Sequence, residues 1–125
     1  TEHAEWLQWL HYAETIAVHG ASLVQQHIII AEELRSPVVI KLESRRLEKS
    51  LEVLDNHLKG RDYLLKSGFS AVDTSVGWSV HMGNMFIKIS DFKNVENYYN
   101  RLKNRDAFKK SLPKDVNNPL EKIEV

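Results

Sequence analysis

The sequence predicts an all-α protein, a single helical bundle. Three observations lead there. Apolar residues recur at intervals of three and four through most of the chain, no stretch alternates in the manner of a strand, and helix start and stop signals punctuate the periodic stretches. A length of 125 residues suits one domain able to bury its own core.

The first helix is expected from Glu2 to about Glu33, a proline-free stretch in which Leu7, Leu10, Glu14, Ala17, Ala21, Val24 and Ile28 keep the helical repeat. Gly20 sits near its middle, so a kink or break is expected there. Ser36-Pro37 is read as its stop, because the residue before a proline is pushed out of the helical region. A second helix is expected from about Val38 to Lys59. Ile40, Leu47, Leu51, Leu54 and Leu58 form its apolar stripe, Lys41, Glu48, Lys49, Glu52 and Lys59 lie mostly opposite, and Gly60 is placed as its C-terminal cap.

Tyr63-Leu64-Leu65 is an apolar patch too short for a helix, and Lys66-Ser67-Gly68 reads as a turn. Ser70-Ala71-Val72-Asp73 has the form of a capping box and starts a third helix running to about Phe86. Val72, Val76, Val80 and Gly83 share one side of it, while Trp78, Met82, Met85 and Phe86 add bulk around the rest, so this helix is expected to be central and largely buried. Ser90-Asp91 is placed as the cap of a fourth helix carrying Phe92, Val95, Tyr99 and Leu102 and ending near Asn104. A short last helix opens at Arg105-Asp106-Ala107-Phe108 and stops at Pro113. The helical domain is thus expected over residues 1–112, with a loosely packed tail over 113–125.

Composition excludes several functional classes. Lysine plus arginine equals aspartate plus glutamate, 17 against 17, so no overall field would draw in nucleic acid or an anionic membrane, and neither partner is expected. Cysteine is absent, which removes disulfides, thiolate nucleophiles and cysteine zinc sites. The longest purely apolar run, Ile28 to Ala31, falls far short of the roughly 20 residues that span a bilayer. The polar, acidic opening Thr1-Glu2-His3-Ala4-Glu5 is unlike a secretory leader, so a cytoplasmic location is expected. Of the histidines, His11, His19 and His27 recur every eight residues, which turns each about 80° from the last on a helix. They do not converge, and no metal site is expected. The chain also lacks the glycine-flanked serine elbow of a hydrolase.

Three stretches, in order, resemble the C-terminal domain of cytosolic glutathione transferases of the bacterial and fungal type. They are Trp6-Leu7-Gln8-Trp9-Leu10-His11-Tyr12-Ala13-Glu14; Leu54 to Leu65 followed by Phe69-Ser70-Ala71-Val72-Asp73; and Tyr98 to Phe108. Two departures stand out. Asp106 occupies the place of a usual proline, though aspartate also suits a first helical turn, and Thr74 stands where an apolar residue commonly closes a staple against Phe69.

The resemblance implies a helical substrate-binding domain that takes part in conjugating glutathione to hydrophobic electrophiles when joined to a thioredoxin-like domain. That other domain carries the residue activating the thiol in this family. None of the 125 residues resembles it, so no activity is expected of this chain alone and no catalytic residue is assigned.

By resemblance Glu14 faces the glutathione amino group, with His11 beside it, and Tyr12, Thr15, Val18 and Trp78 line the acceptor cleft between the first and central helices. Read from the residues alone, Glu14 is an ordinary solvated carboxylate and Trp78 an ordinary core residue. Ser70 and Asp73 are structural. Glutathione is implied as a co-substrate, with no tightly bound cofactor. The implied partners are a thioredoxin-like domain or a second copy in a homodimer. The same fold also serves as a non-enzymatic protein-interaction or assembly module, and that reading stands beside the first.

Overall fold

The structure, a computed structural model, describes residues 1–113. Helix α1 spans Glu2–Val24 and is capped by the Thr1 hydroxyl, which accepts from the Ala4 amide at 3.3 Å. Its buried residues Trp9, Ala13, Ile16, Gly20 and Leu23 form one stripe at alternating four- and three-residue steps. The helix runs through Gly20 unbroken, contrary to the expected kink. Gly20 lies on the buried stripe, where packing outweighs the roughly 1 kcal/mol propensity penalty of glycine.

The irregularity comes later, as a π-helical turn over Gln25–Ile29 in which the Ile30 amide donates to the Gln25 carbonyl at 2.8 Å. A 3-10 turn over Glu32–Leu34 follows. The first helix, expected to reach about Glu33, stops at Ile29, where Ile30 turns extended, so Ser36-Pro37 is not its stop but the start of the second. Ser36 caps α2 (Pro37–His57) by accepting from the Val39 amide at 3.3 Å, and Pro37 takes the first helical position, where no amide proton is needed.

Along α2, Leu47, Leu51 and Leu54 are buried, and Leu58 extends the stripe at its C-cap. Glu43 continues that stripe toward the N-terminus as a buried carboxylate. Gly60 has φ +72°, so the left-handed residue expected after the helix is present, two positions beyond the cap. The following loop is anchored rather than loose. Leu64 and Leu65 are buried, the Leu64 carbonyl lies 2.8 Å from His57 Nε2 and accepts from Arg61 at 3.1 Å, and Arg61 also reaches Glu5 at 3.1 Å.

Helix α3 (Ala71–Gly83) begins at the expected capping box. Ser70 Oγ accepts from the Val72 amide at 3.4 Å, and the Asp73 carboxylate accepts from the Ser70 amide at 2.9 Å. Asp73 is fully buried and also accepts from the Leu64 amide at 3.1 Å and the Tyr98 hydroxyl at 2.9 Å. The helix ends three residues before Phe86, at a turn that brings the Phe86 and Ile87 amides back to the Gly83 carbonyl. Val72, Val76 and Val80 have no exposure, as the central position requires.

Gly77 admits α4 (Lys93–Lys103) at close range, since a Cβ there would lie 2.5 Å from Leu102 Cδ1. The Ser90-Asp91 cap expected for α4 does not form. Those residues belong to a 3-10 turn, Ile89–Asp91, and Asp55 of α2 caps the helix instead, accepting from the Asn94 and Val95 amides at 2.8 and 3.0 Å. Helix α5 (Asp106–Ser111) forms with aspartate at its first position. The tail expected from Pro113 onward lies, beyond that proline, outside the described residues.

Helix α1 packs mainly against α3 and α2, and α4 against α2 and α3. Among the described residues there is no strand, only an isolated bridge between Leu65 and Gly68.

Candidate functional site

The buried stripe of α1 dictates what its other faces offer. Opposite it, His11, Glu14 and Val18 fall at i, i+3 and i+7, and all three are exposed, with Leu7 and Ala21 extending the same stripe. Neither His11 nor Glu14 makes a hydrogen bond or ion pair among the described residues, so the two do not bond to each other. The Glu14 carboxylate stands open to an incoming cation.

On the flank toward α2, Tyr12, Thr15 and His19 line an open groove of about 490 Å³ with Leu42, Arg46 and Lys49. Tyr12 donates to the Ser50 carbonyl at 2.8 Å, and burial pushes its hydroxyl up in pKa. Glu43, which bonds the groove residues His19 and Arg46, is only 8% exposed. Burial works to raise its carboxyl, but His19 Nδ1 at 2.8 Å and Arg46 at 2.5 Å outweigh that and hold it below the usual carboxylate range. Arg45 and Lys49 are likewise neutralised, by Glu48 at 2.5 Å and Glu52 at 2.7 Å.

Trp78 does not join Tyr12 and Thr15. It is 43% exposed and opens onto a separate cavity of about 340 Å³ between α3, the end of α4 and α5, lined by Phe69, Thr74, Leu102, Arg105 and Phe108 among others. The single acceptor cleft expected from sequence is therefore divided. Tyr12 and Thr15 face α2, Val18 stands on the exposed stripe, and Trp78 faces α5. The face of α3 turned to α1 carries Ser79 instead, which donates to the Ala13 carbonyl at 3.0 Å. Trp78 is one position earlier, about 100° around the helix.

Phe69, which lacks an apolar staple partner at Thr74, is held by other means. The Arg105 guanidinium carbon lies 3.5 Å from its ring centroid, and Tyr63 meets it edge-on at 5.6 Å. Behind Trp78, His81 Nδ1 lies 2.7 Å from the Tyr99 hydroxyl, with the Phe108 ring edge-on at 5.7 Å. Burial, helped by the Lys103 charge, pushes the His81 pKa down, and burial pushes the Tyr99 hydroxyl up. The Tyr98 hydroxyl is raised by its burial and by the Asp73 carboxylate it donates to.

Sequence reasoning missed Glu43, His81 and Arg105 as site-forming groups. Glu43 carried a signal, a carboxylate in phase with Leu47, Leu51, Leu54 and Leu58. The other two did not, because their partners come from distant parts of the chain, Tyr99 on α4 for His81 and Phe69 in the loop before α3 for Arg105. His19 turns to Glu43 and His27 stacks on Phe86 with ring centroids 5.6 Å apart, while His11 is exposed. Among the described residues no three metal-ligating side chains stand together, and no helix is long and apolar enough to cross a membrane.

No family model matches the sequence, and no curated protein does either. A solved structure of a possible glutathione S-transferase from Rhodopseudomonas palustris is similar, with a TM-score of 0.74 and 21% identity, covering 86% of this chain and 50% of that one. The chain thus spans about half the length of that protein. The likeness establishes the fold, an all-α bundle of the glutathione transferase C-terminal domain type.

Proposed function

We propose that this chain is the helical, substrate-binding half of a glutathione transferase-like protein, acting on hydrophobic electrophiles when joined to a thioredoxin-like domain. The observation that carries the reading is the match of 86% of the chain to part of a possible transferase about twice as long. In this reading the exposed stripe of α1 meets glutathione, the co-substrate. Glu14 pairs with its ammonium, His11 stands beside that pair, and Tyr12, Thr15, Val18 and Trp78 supply acceptor-side surface. The compartment is the cytoplasm, and the partners are the thioredoxin-like domain and a second copy of the chain.

Thiol activation needs a positioned donor or base. The hydroxyls of Tyr12, Tyr98 and Tyr99 are each engaged, with the Ser50 carbonyl, Asp73 and His81. In this reading the chain shapes a cleft and the thioredoxin-like domain ionises the thiol. Incubated alone with glutathione and chlorodinitrobenzene, it is expected to give no conjugation above the buffer rate, and clear turnover would overturn that division of labour. In a protein containing both halves, Glu14→Gln is expected to raise KM for glutathione about threefold with kcat unchanged, as suits an exposed ion pair. An unchanged KM removes Glu14 from the site.

One observation favours a second reading, that of a non-enzymatic interaction or assembly module. Apolar side chains stand exposed on both outer helices, Leu7 and Val18 on α1 and Val38, Leu42 and Val53 on α2. A specific protein partner captured with no measurable glutathione binding would select this reading over the first.

A further inference from the structure

The two concave sites differ in how their cations are satisfied. In the α1–α2 groove Arg45, Arg46 and Lys49 each have a carboxylate. In the α3–α5 cavity, Arg105 has its flat face against Phe69, and among the described residues its guanidinium makes no hydrogen bond or ion pair. Among the described residues the one acid in the cavity wall, Asp73, is already committed to the Ser70 amide, the Leu64 amide and the Tyr98 hydroxyl. A guanidinium stacked through its face keeps its in-plane N–H groups, and that planar fork matches a carboxylate with two parallel hydrogen bonds.

The remaining wall is mostly apolar, with Phe69, Trp78, Leu102, Ala107 and Phe108, and its other polar groups are the hydroxyls of Thr74 and Ser111. A volume of about 340 Å³ is at the small end of ligand pockets, enough for one or two fused rings. A single cation in such a wall selects a monoanion. A cation would meet Arg105, and a dianion would bring a second charge out of water with nothing to pair it. Trp78, a large aromatic left 43% exposed beside this cavity, supplies a flat surface for a ring.

We propose that the cavity between α3 and α5 binds a planar aromatic monocarboxylate, its ring against Trp78, Phe108 and Leu102 and its carboxylate on the edge of Arg105. The site is separate from the glutathione-facing stripe of α1 and does not depend on the transferase reading.

The test uses the full 125-residue chain with a naphthoate as probe and the corresponding naphthylmethanol as its uncharged counterpart, followed by calorimetry and by the indole N–H resonance of Trp78. Naphthoate is expected to bind one-to-one, shift that resonance, and bind about tenfold tighter than the alcohol, as a charge-assisted hydrogen-bond pair warrants. Arg105→Gln is expected to abolish the preference, while Lys49→Gln, in the other groove, leaves it intact. Should Arg105→Gln fail to fold, Arg105→Lys, which keeps the charge and loses the fork, is expected to reduce the preference severalfold. Equal binding of acid and alcohol, unchanged naphthoate affinity in the folded Arg105 variants, or no saturation at millimolar probe would each overturn the proposal.

Discussion

Helices α3 and α4 begin in opposite ways. The first turn of α3 is satisfied from within four consecutive residues, Ser70 and Asp73 serving each other's amides. The first turn of α4 has no side-chain cap of its own at Phe92, and its amides are held by Asp55, at the far end of α2. Asn94 answers with its side-chain amide, which donates to both the backbone carbonyl and the carboxylate of Asp55 at 3.2 Å. A local cap lets a helix start unaided, whereas a distant one makes the start of α4 conditional on α2 being in place. Asp73 belongs to both kinds, because its carboxylate also fastens the loop at Leu64 and α4 at Tyr98.

The largest effect is therefore expected at Asp73. Asp73→Ala would strand two backbone amides and the Tyr98 hydroxyl, and at about 1–3 kcal/mol for each unsatisfied buried group the loss is on the order of 4 kcal/mol. Denaturant unfolding checks this, and a loss near 1 kcal/mol would reduce Asp73 to an ordinary cap. Asp55→Ala is expected to lose about 1–2 kcal/mol. A double-mutant cycle with Asn94→Ala should show coupling above about 0.5 kcal/mol if α2 and α4 are tied as described. Ser70→Ala is expected to lose about 1 kcal/mol, and Asp91→Ala, at the position that does not cap, less than about 0.5 kcal/mol. A larger loss at Asp91 than at Asp55 would invert the comparison.

The smallest expected effects are in pH dependence. The folded pKa of His81 lies below the ordinary 6.5, so the folded state resists the proton more than the unfolded chain does. Its contribution is whole above pH 6.5 and is lost as pH falls from there through the folded value. The carboxyl of Glu43, held below the ordinary 4.5, contributes fully above that pH and loses its contribution only at lower pH. Melting temperature against pH should thus begin to decline below 6.5 and again below 4.5, and His81→Gln should flatten the first decline while leaving the second.

The same contrast explains what was legible in the sequence. The apolar stripe of α2, the capping box and the short last helix depend on neighbours three or four residues apart, and they stand where periodicity places them. The Asp55 cap, the His81–Tyr99 pair and the stacking of Arg105 on Phe69 join residues from 18 to 40 positions apart, and no local pattern encodes them. Gly20 misled because propensity weighs a glycine as if it stood alone, while here the fully buried Ile16 and Leu23 on either side of it carry the helix through. Trp78 misled in the other direction. Its size argues for the core, but the neighbouring positions Gly77 and Ser79 already supply the contacts to α4 and α1, which turns Trp78 outward.

The π-helical turn at Gln25–Ile29 has a meaning in terms of inheritance. A wide turn is a helix carrying one residue more than its register needs. Each residue of a regular helix advances about 100°, and the stripe from Trp9 to Leu23 lies wholly before the turn, so a change of length within the turn leaves that stripe in phase with the core. Deleting one residue within the turn would be absorbed by closing ordinary helical bonds, whereas the same deletion upstream would rotate part of the buried stripe into solvent. Insertions and deletions in descendants of this chain are expected to collect there, making those five residues the length-tolerant joint of an otherwise length-intolerant helix.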